Sequence, residues 1–132
     1  MATVTAGLTL SSAAGALSSQ AVSLSISEDI TAEQTSGMAK VKVSQNAAGA
    51  SCETIFTANQ YATTPAYLYI KNMQPTEGEY IYLYDDTSSG DTVILKLSGD
   101  DFAFMPITGA STLKVYGHAA NYVAEYMIFG TA

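Results

Sequence analysis

The stretch over residues 67–106 constrains the fold more than any other part of the chain. It contains four short runs rich in β-branched and aromatic residues, and clusters of Asp, Gly, Ser and Pro separate them. Short strands at near-regular spacing with turn signals between them are typical of β-sandwiches and small barrels. The four predicted strands cover residues 67–71, 80–84, 92–97 and 102–105.

Side chains in these strands alternate between two faces, because successive residues of a strand point to opposite sides of a sheet. One face is aliphatic and is predicted to contribute to the core through Leu68, Ile70, Ile81, Leu83, Val93, Leu95, Phe102 and Phe104. In the third strand, Ile94 competes with Val93 and Leu95 for the inward position. The other face carries Tyr67, Tyr69, Tyr80, Tyr82 and Tyr84. Tyrosine rings are apolar and their hydroxyls polar, which suits a second packed layer or an interface.

The rest of the chain adds strands and almost no helical pattern. Val22, Leu24 and Ile26 alternate with serines, which predicts a half-buried strand over residues 21–27. A polar connection is expected over 28–37, and further strands over 38–44, 52–57, 112–116 and 122–129. Eight or nine strands predict an all-β fold, a single antiparallel β-sandwich, of which the jelly roll is one form. The strand connectivity stays open at this point.

The first twenty residues differ from the rest in being dominated by Thr, Ser, Ala and Gly. Their sizeable apolar anchors are Val4, Leu8, Leu10 and Leu17. Ordering the backbone costs roughly 1–2 kcal/mol per residue, so this segment needs contacts from outside itself. Those contacts come from the domain's own sheet or from neighbouring subunits, and we favour the subunits. We therefore predict an extended N-terminal arm over residues 1–20, and a β-sandwich over 21–132 that folds without it.

The charge balance argues against two classes of partner. Twelve acidic residues against five lysines and no arginine give a net charge of −7. A nucleic-acid-binding surface needs a basic patch that displaces counterions, and an anionic membrane surface makes a similar demand. No apolar run reaches the length of a membrane span, and the N-terminus lacks the basic and apolar regions of a signal peptide. We expect neither nucleic acid nor membrane as a partner.

The sequence lacks recognisable catalytic motifs. It has no Gly-rich phosphate loop, no cysteine pair at zinc spacing and no serine in a nucleophile-elbow context. His118, the lone histidine, lies in a predicted turn, where a loop residue is a better interpretation than a general base. Cys52, the lone cysteine, excludes an intramolecular disulfide and is interpreted as a core or boundary residue. We therefore expect no enzyme, no catalytic residue and no cofactor.

Two acidic clusters lie in turn-like segments. Aspartate is favoured in turns because its side chain caps nearby backbone groups, and this interpretation has priority. Ca²⁺ binding, which needs six to eight oxygen ligands, is the alternative that stays open. The clusters are Asp85 and Asp86 with Asp91, and Asp100 with Asp101.

Four segments resemble small virion proteins of tailed bacteriophages, especially cyanophages and other aquatic phages. The resemblance begins with an arm of alternating Thr, Leu and Ser and continues with the strand YLYIKN. A segment LSGDDFAFMP follows, and the last strand contains an aliphatic-Glu-Tyr pattern. These segments are residues 3–11, 67–72, 97–106 and 123–126, and they are distributed along most of the chain.

Such proteins are similar to capsid decoration (cement) proteins or to minor head and tail components. The resemblance implies a non-enzymatic homo-oligomer that binds the outer capsid surface, stabilises capsomer contacts, and has the major capsid protein or other virion proteins as partners. An acidic protein is repelled by packaged DNA, which favours the outer surface of the virion over its lumen. The lack of disulfides fits assembly in the bacterial host cytoplasm. The alternative is a ligand- or host-glycan-binding β-sandwich module of a phage tail or head appendage.

The resemblance transfers no site residues, so the predicted contact surface comes from the side chains themselves. It combines the four apolar anchors of the arm with the five tyrosines of the central strands: Val4, Leu8, Leu10, Leu17, Tyr67, Tyr69, Tyr80, Tyr82 and Tyr84.

Overall fold

Ten strands and no helix make up the described part of the chain in a computed structural model. The structure describes residues 2–15, 21–45, 52–61, 66–87 and 90–131. None of these residues forms a helix that is long and apolar enough to cross a membrane. The strands are β1 (Ala2–Ser12), β2 (Val22–Thr35), β3 (Ala39–Lys42), β4 (Glu53–Phe56), β5 (Ala66–Asn72), β6 (Ile81–Thr87), β7 (Gly90–Leu97), β8 (Phe102–Ile107), β9 (Thr112–Gly117) and β10 (Val123–Thr131).

The strands form two antiparallel sheets that pack against each other. Sheet A has the order β1-β2-β10-β5-β8, with β3 also paired to β10, and sheet B has the order β4-β9-β6-β7. From β3 onward the chain crosses between the sheets at every connection except that from β6 to β7. This strand order is that of a jelly roll. The predicted antiparallel β-sandwich is therefore confirmed, and its connectivity is defined.

The core lies between the inner faces of the two sheets. Leu68, Ile70, Ile81 and Leu83 are at most 1% exposed, as their alternation with tyrosine predicts. They join a larger buried cluster that also contains Val43, Ile55, Phe56, Ala66, Leu97, Ile107, Leu113, Val115, Ala124 and Ile128. Leu95 packs against this cluster from a half-buried position.

The prediction that Phe102 and Phe104 contribute to the core is wrong. In the pairing of β8 with β5, Phe102 lies opposite Lys71 and Phe104 opposite Tyr69, on the outer face of sheet A. The inner positions of β8 go to Ala103, Met105 and Ile107, which lie opposite Ile70, Leu68 and Ala66. Alternation identified two faces of this strand, but the larger side chains are on the solvent side.

Val93 is also exposed, contrary to the core prediction. The pairing of β6 with β7 shifts register between Leu83 and Tyr84, so that Leu95 lies opposite Leu83 and Val93 opposite Tyr84. Val93 and Leu95 would share a face in a regular strand. Their surroundings differ because a bulge inserts an extra residue and interrupts the alternation.

The N-terminal residues form a long two-stranded ribbon with the segment that follows them. The register runs from Ala2 opposite Ala32 to Ser12 opposite Val22. Beyond this pairing, only residues 32–35 of β2 pair with another described strand, the C-terminal end of β10. The rest of the ribbon therefore projects from the edge of sheet A. The polar connection predicted over 28–37 is wrong as far as Thr35, because β2 continues through it.

Candidate interaction surface

The ribbon has two chemically different faces, because its register places like residues opposite each other. On one face, Val4 lies opposite Ile30, Leu8 opposite Ile26, and Leu10 opposite Leu24. The other face carries threonine and serine from both strands together with Asp29. There the hydroxyl of Thr5 donates a hydrogen bond to the Asp29 carboxylate at 2.7 Å.

At its root, the apolar face of the ribbon is covered. Ile30, Ala32 and Phe129 are buried, yet none of them belongs to the main core cluster. Val4, Ala32 and Phe129 also line a shallow cavity of about 280 Å³ beside the β2–β10 pairing. This satellite cluster attaches the ribbon to sheet A.

Towards the tip, the same face is open to solvent. Leu8, Leu10, Leu24 and Ile26 are between 39% and 56% exposed and form two adjacent cross-strand pairs. We call these four residues the ribbon face. Single exposed apolar residues are ordinary, but adjacent ones on a projecting element mark a contact site. The expected half-buried strand over 21–27 is thus a strand, but Leu24 and Ile26 are exposed.

Charge is absent from this part of the molecule. The first 27 residues of the chain include no Asp, Glu, Lys or Arg, although the whole chain has a net charge of −7. The tip of the ribbon is therefore uncharged, and the first charged residue on the same face is Glu28, which follows Ile26 along β2 and lies opposite Ala6. A partner that binds there removes apolar surface from water without desolvating a charged side chain of the ribbon tip.

Tyr67 and Tyr69 lie on the outer face of sheet A. The Tyr67 ring stacks on Phe104 with centroids 5.7 Å apart. The Tyr69 hydroxyl donates to a Glu125 carboxylate oxygen at 3.2 Å. Burial raises the pKa of Tyr69, and the hydrogen bond and charge of Glu125 raise it further. Tyr67 lies opposite Phe129 in the sheet, so these tyrosines are on the side where the ribbon root packs.

Tyr80 and Tyr82 belong to the other sheet of the sandwich. The Tyr82 ring stacks on Tyr116 with centroids 4.8 Å apart, and the Lys96 ammonium lies 3.8 Å from the centre of the Tyr80 ring. We call this group of Tyr80, Tyr82, Tyr116 and Lys96 the aromatic patch. The predicted tyrosine face is therefore split between sheet A and sheet B rather than forming one surface.

One member of the predicted contact surface is buried, and another cannot be placed. Tyr84 is only 1% exposed and its ring packs at a tilt against Tyr116, so it offers a partner almost no surface. Leu17 lies outside the described residues. Of the arm's other anchors, Val4 belongs to the ribbon root, and Leu8 and Leu10 belong to the ribbon face.

The acidic clusters make contacts within the chain. Asp86 forms a salt bridge with Lys114, and the side chain of Asp91 lies outside what the structure describes. Asp101 accepts a hydrogen bond from the backbone N–H of Ser98 at 2.8 Å, and Asp100 has a left-handed backbone with φ of 64°. Both are features of a turn. The described residues bring no three His, Cys, Asp or Glu side chains together in an arrangement that could hold a metal ion.

His118 and Cys52 also have ordinary surroundings. His118 is exposed, and the edge of its ring approaches Tyr80 with centroids 6.4 Å apart. Cys52 is a free, half-buried cysteine just before β4.

A scan against protein-family models finds no match for this chain, and a search of curated proteins finds none either. The class of protein is therefore defined by the fold and its surface alone. The chain is a jelly-roll β-sandwich that carries a projecting ribbon, and the tip of this ribbon is uncharged and has an exposed apolar face.

Leu24 and Ile26 belong to the ribbon face but not to the contact surface predicted from the sequence. Their alternation with serine predicts burial, whereas both side chains are exposed. The same alternation of leucine with threonine in residues 3–11 is the signal that could have paired the two segments, because cross-strand neighbours tend to match in polarity.

Proposed function

We propose that this protein is a non-enzymatic structural component of a tailed-phage virion, of the capsid decoration (cement) type. It binds the outer surface of the capsid, stabilises contacts between capsomers, and is assembled there in the cytoplasm of the bacterial host. Its partners are the major capsid protein or other virion proteins, together with further copies of itself. Nucleic acid, membrane and cofactors have no part in this role.

The ribbon face is the observation that carries this proposal. Four large apolar side chains stay exposed at the uncharged tip of a projecting element, where they contribute nothing to the buried core. A chain that functions alone in water gains nothing from this arrangement, whereas a subunit of an assembly gains an anchor. The sandwich then remains outside the contact, with its acidic surface towards solvent.

The virion role itself rests on the four segments that resemble phage structural proteins. The jelly roll adds an analogy, since this fold is common among viral capsid domains but also occurs in lectins and cupins. The net charge of −7 favours a position away from packaged DNA.

The proposal is tested by restoring the protein to phage particles that lack it. Ile26→Ser removes the most exposed side chain of the ribbon face, and Ile94→Ser is the matched control at an exposed isoleucine of β7. We expect both variants to fold, and Ile26→Ser alone to reduce occupancy of particles by about tenfold, which corresponds to ~1.4 kcal/mol of lost contact. Equal occupancy of the two variants would reject the ribbon face as the anchor, and no occupancy by the unmodified protein would reject the virion role.

The aromatic patch favours a second candidate function, the binding of a host glycan by an appendage module. Stacked tyrosine rings offer apolar planes with polar edges, which is the surface that a sugar ring contacts. Titration with purified host-surface oligosaccharide, followed by NMR, separates the two functions. Shifts confined to signals of Tyr80, Tyr82 and Tyr116 that disappear in Tyr82→Ala would support glycan binding, and an unchanged spectrum would exclude it for that glycan.

A further inference from the structure

The outer edge of β1 is an unusually open strand edge. Among the described residues β1 pairs only with β2, so the backbone groups along its other edge have no strand partner in the chain. Natural edge strands are usually short, or are interrupted by proline, lysine or a bulge, because an open edge pairs with other chains. β1 is 11 residues long, has no proline or charged residue, and pairs with β2 without any register shift.

The other three strands that end a sheet, β8, β7 and β4, have the protection that β1 lacks, and the open part of the β2 edge carries Glu28 and Asp29. β8 contains Pro106, which cannot donate a backbone hydrogen bond. β7 contains Lys96 and its pairing shifts register, while β4 is four residues long and its pairing also shifts register. The contrast makes β1 the edge that is suited to strand addition.

The sequence of β1 is complementary to itself when it is reversed. Counted outward from Gly7, the residues at equal distances are Ala6 and Leu8, Thr5 and Thr9, Val4 and Leu10, and Thr3 and Ser11. Each of these four pairs is either two apolar residues or two hydroxyl residues, and only the outermost pair, Ala2 with Ser12, is mixed. An antiparallel pairing of two copies centred on Gly7 thus places apolar side chains opposite apolar ones on one face, and hydroxyls opposite hydroxyls on the other.

We propose that two copies of this chain pair through their β1 edges, antiparallel, with Gly7 of each copy at a twofold axis. All 11 residues of each strand then overlap, from Ala2 opposite Ser12 to Ser12 opposite Ala2. Residues of an antiparallel pair exchange two hydrogen bonds at alternate positions, so this edge gains about ten, a typical number for a whole protein interface. The two A sheets become one continuous sheet, and the two ribbon faces become neighbours on one side of it.

A second copy fits this edge better than a different partner for two reasons. An isologous contact needs a surface that is complementary to itself, and the pattern around Gly7 meets that condition. In addition, two molecules of net charge −7 repel each other, and β1 lets them meet through strands without a single charge. The pairing goes beyond the virion role, because it needs no other virion protein and no capsid.

Register-specific cross-linking of the purified protein tests the pairing. In a Cys52→Ser background, Thr5→Cys and Thr9→Cys proteins should form a disulfide heterodimer when mixed under mild oxidation, because residues 5 and 9 lie opposite each other across the axis. Thr5→Cys alone should cross-link far less, since its two copies are four residues out of register, about 14 Å apart along the strands. Equal cross-linking in the mixture and in either single variant would overturn the proposed register.

A pair of lysine variants tests the edge independently by sedimentation at several protein concentrations. Gly7→Lys places two like charges at the axis, and a Cβ at this position is only in ordinary contact with the Ile26 carbonyl oxygen, at 3.8 Å. Ser27→Lys is the matched control, because Ser27 lies directly opposite Gly7 on β2, one strand away from the edge. We expect a dimer for the unmodified protein and for Ser27→Lys, and dimerisation weakened by about tenfold or more for Gly7→Lys.

Three outcomes would overturn the pairing. They are a monomeric unmodified protein, unchanged dimerisation of Gly7→Lys, and an equal loss of dimerisation in both lysine variants, which would indicate stacking of the faces that carry serine and threonine instead, because Gly7 and Ser27 both lie on that face. The capsid proposal fails separately, since its readout is occupancy of particles and this one is the mass of the purified protein.

Discussion

Asn72 is the residue whose role the sequence concealed most completely. It is fully buried at the end of β5. Its side-chain amide donates to the carbonyl oxygens of Glu79 at 2.7 Å and of Leu97 at 3.0 Å. Its side-chain oxygen accepts from the Gln74 backbone N–H at 3.1 Å. One amide therefore joins sheet A to the start of β6 and the end of β7 in sheet B.

Replacing Asn72 by leucine should destabilise the sandwich by about 2–4 kcal/mol, because the backbone groups that it satisfies lose their partner and stay largely buried. Urea unfolding followed by circular dichroism measures this loss. Gln34→Ala, at an exposed amide of the ribbon root, is the control and should change stability by less than about 0.5 kcal/mol. Similar values for the two variants would show that the Asn72 hydrogen bonds contribute little.

Leu83→Ala tests the core assignment at the same scale. The side chain is 1% exposed in the main cluster, so the expected loss is about 2–5 kcal/mol, from transfer of the side chain and from the cavity left behind. Val93→Ala, on the neighbouring strand, should lie within about 0.5 kcal/mol because that residue is 49% exposed. A loss for Val93→Ala as large as for Leu83→Ala would contradict the register shift in β6 and β7.

At the scale of elements, the sequence predicts the positions of the strands more accurately than the burial of their side chains. The central strands appear close to their predicted limits, because turn residues flank each of them and period-two alternation is strong. Alternation does not identify which face of a strand packs in the core. In β8, for example, Phe102 and Phe104 are on the solvent side. The ribbon could not be predicted for a further reason. The sequence predicts that the first twenty residues contact other subunits and that residues 21–27 form a half-buried strand, and neither prediction pairs the two segments with each other.

The ribbon and the sandwich should contribute independently to the stability of the protein. Ile30, Ala32 and Phe129 form a satellite cluster outside the main core, so deleting residues 2–20 should leave a cooperatively folded sandwich. Removal of Val4 uncovers part of this cluster, and we expect a loss of about 1–3 kcal/mol. Thermal unfolding followed by near-ultraviolet circular dichroism measures it. Absence of a cooperative transition would show that β1 is required for the sandwich to fold.

At the scale of the whole molecule, composition predicted the fold class and left the contact surfaces open. Strand periodicity and turn chemistry are local properties, so an antiparallel sandwich could be predicted from them, whereas the pairing of β10 with β2, β3 and β5 joins residues that are far apart in the sequence. The tyrosines illustrate the limit for the surface. They look like one periodic set in sequence, but sheet A takes Tyr67 and Tyr69, and sheet B takes Tyr80 and Tyr82.

The proposed role depends on all three scales, since an acidic sandwich carries a ribbon with an uncharged tip, and the exposed apolar side chains of this tip lie outside the core. Cryo-electron microscopy of the native particle, at a resolution that separates strands, tests this role most directly. We predict density for the jelly roll on the outside of the capsid, with Leu8, Leu10, Leu24 and Ile26 buried against a neighbouring subunit. Particles without this protein, or particles in which the ribbon face points into solvent while the aromatic patch makes the contact, would contradict it.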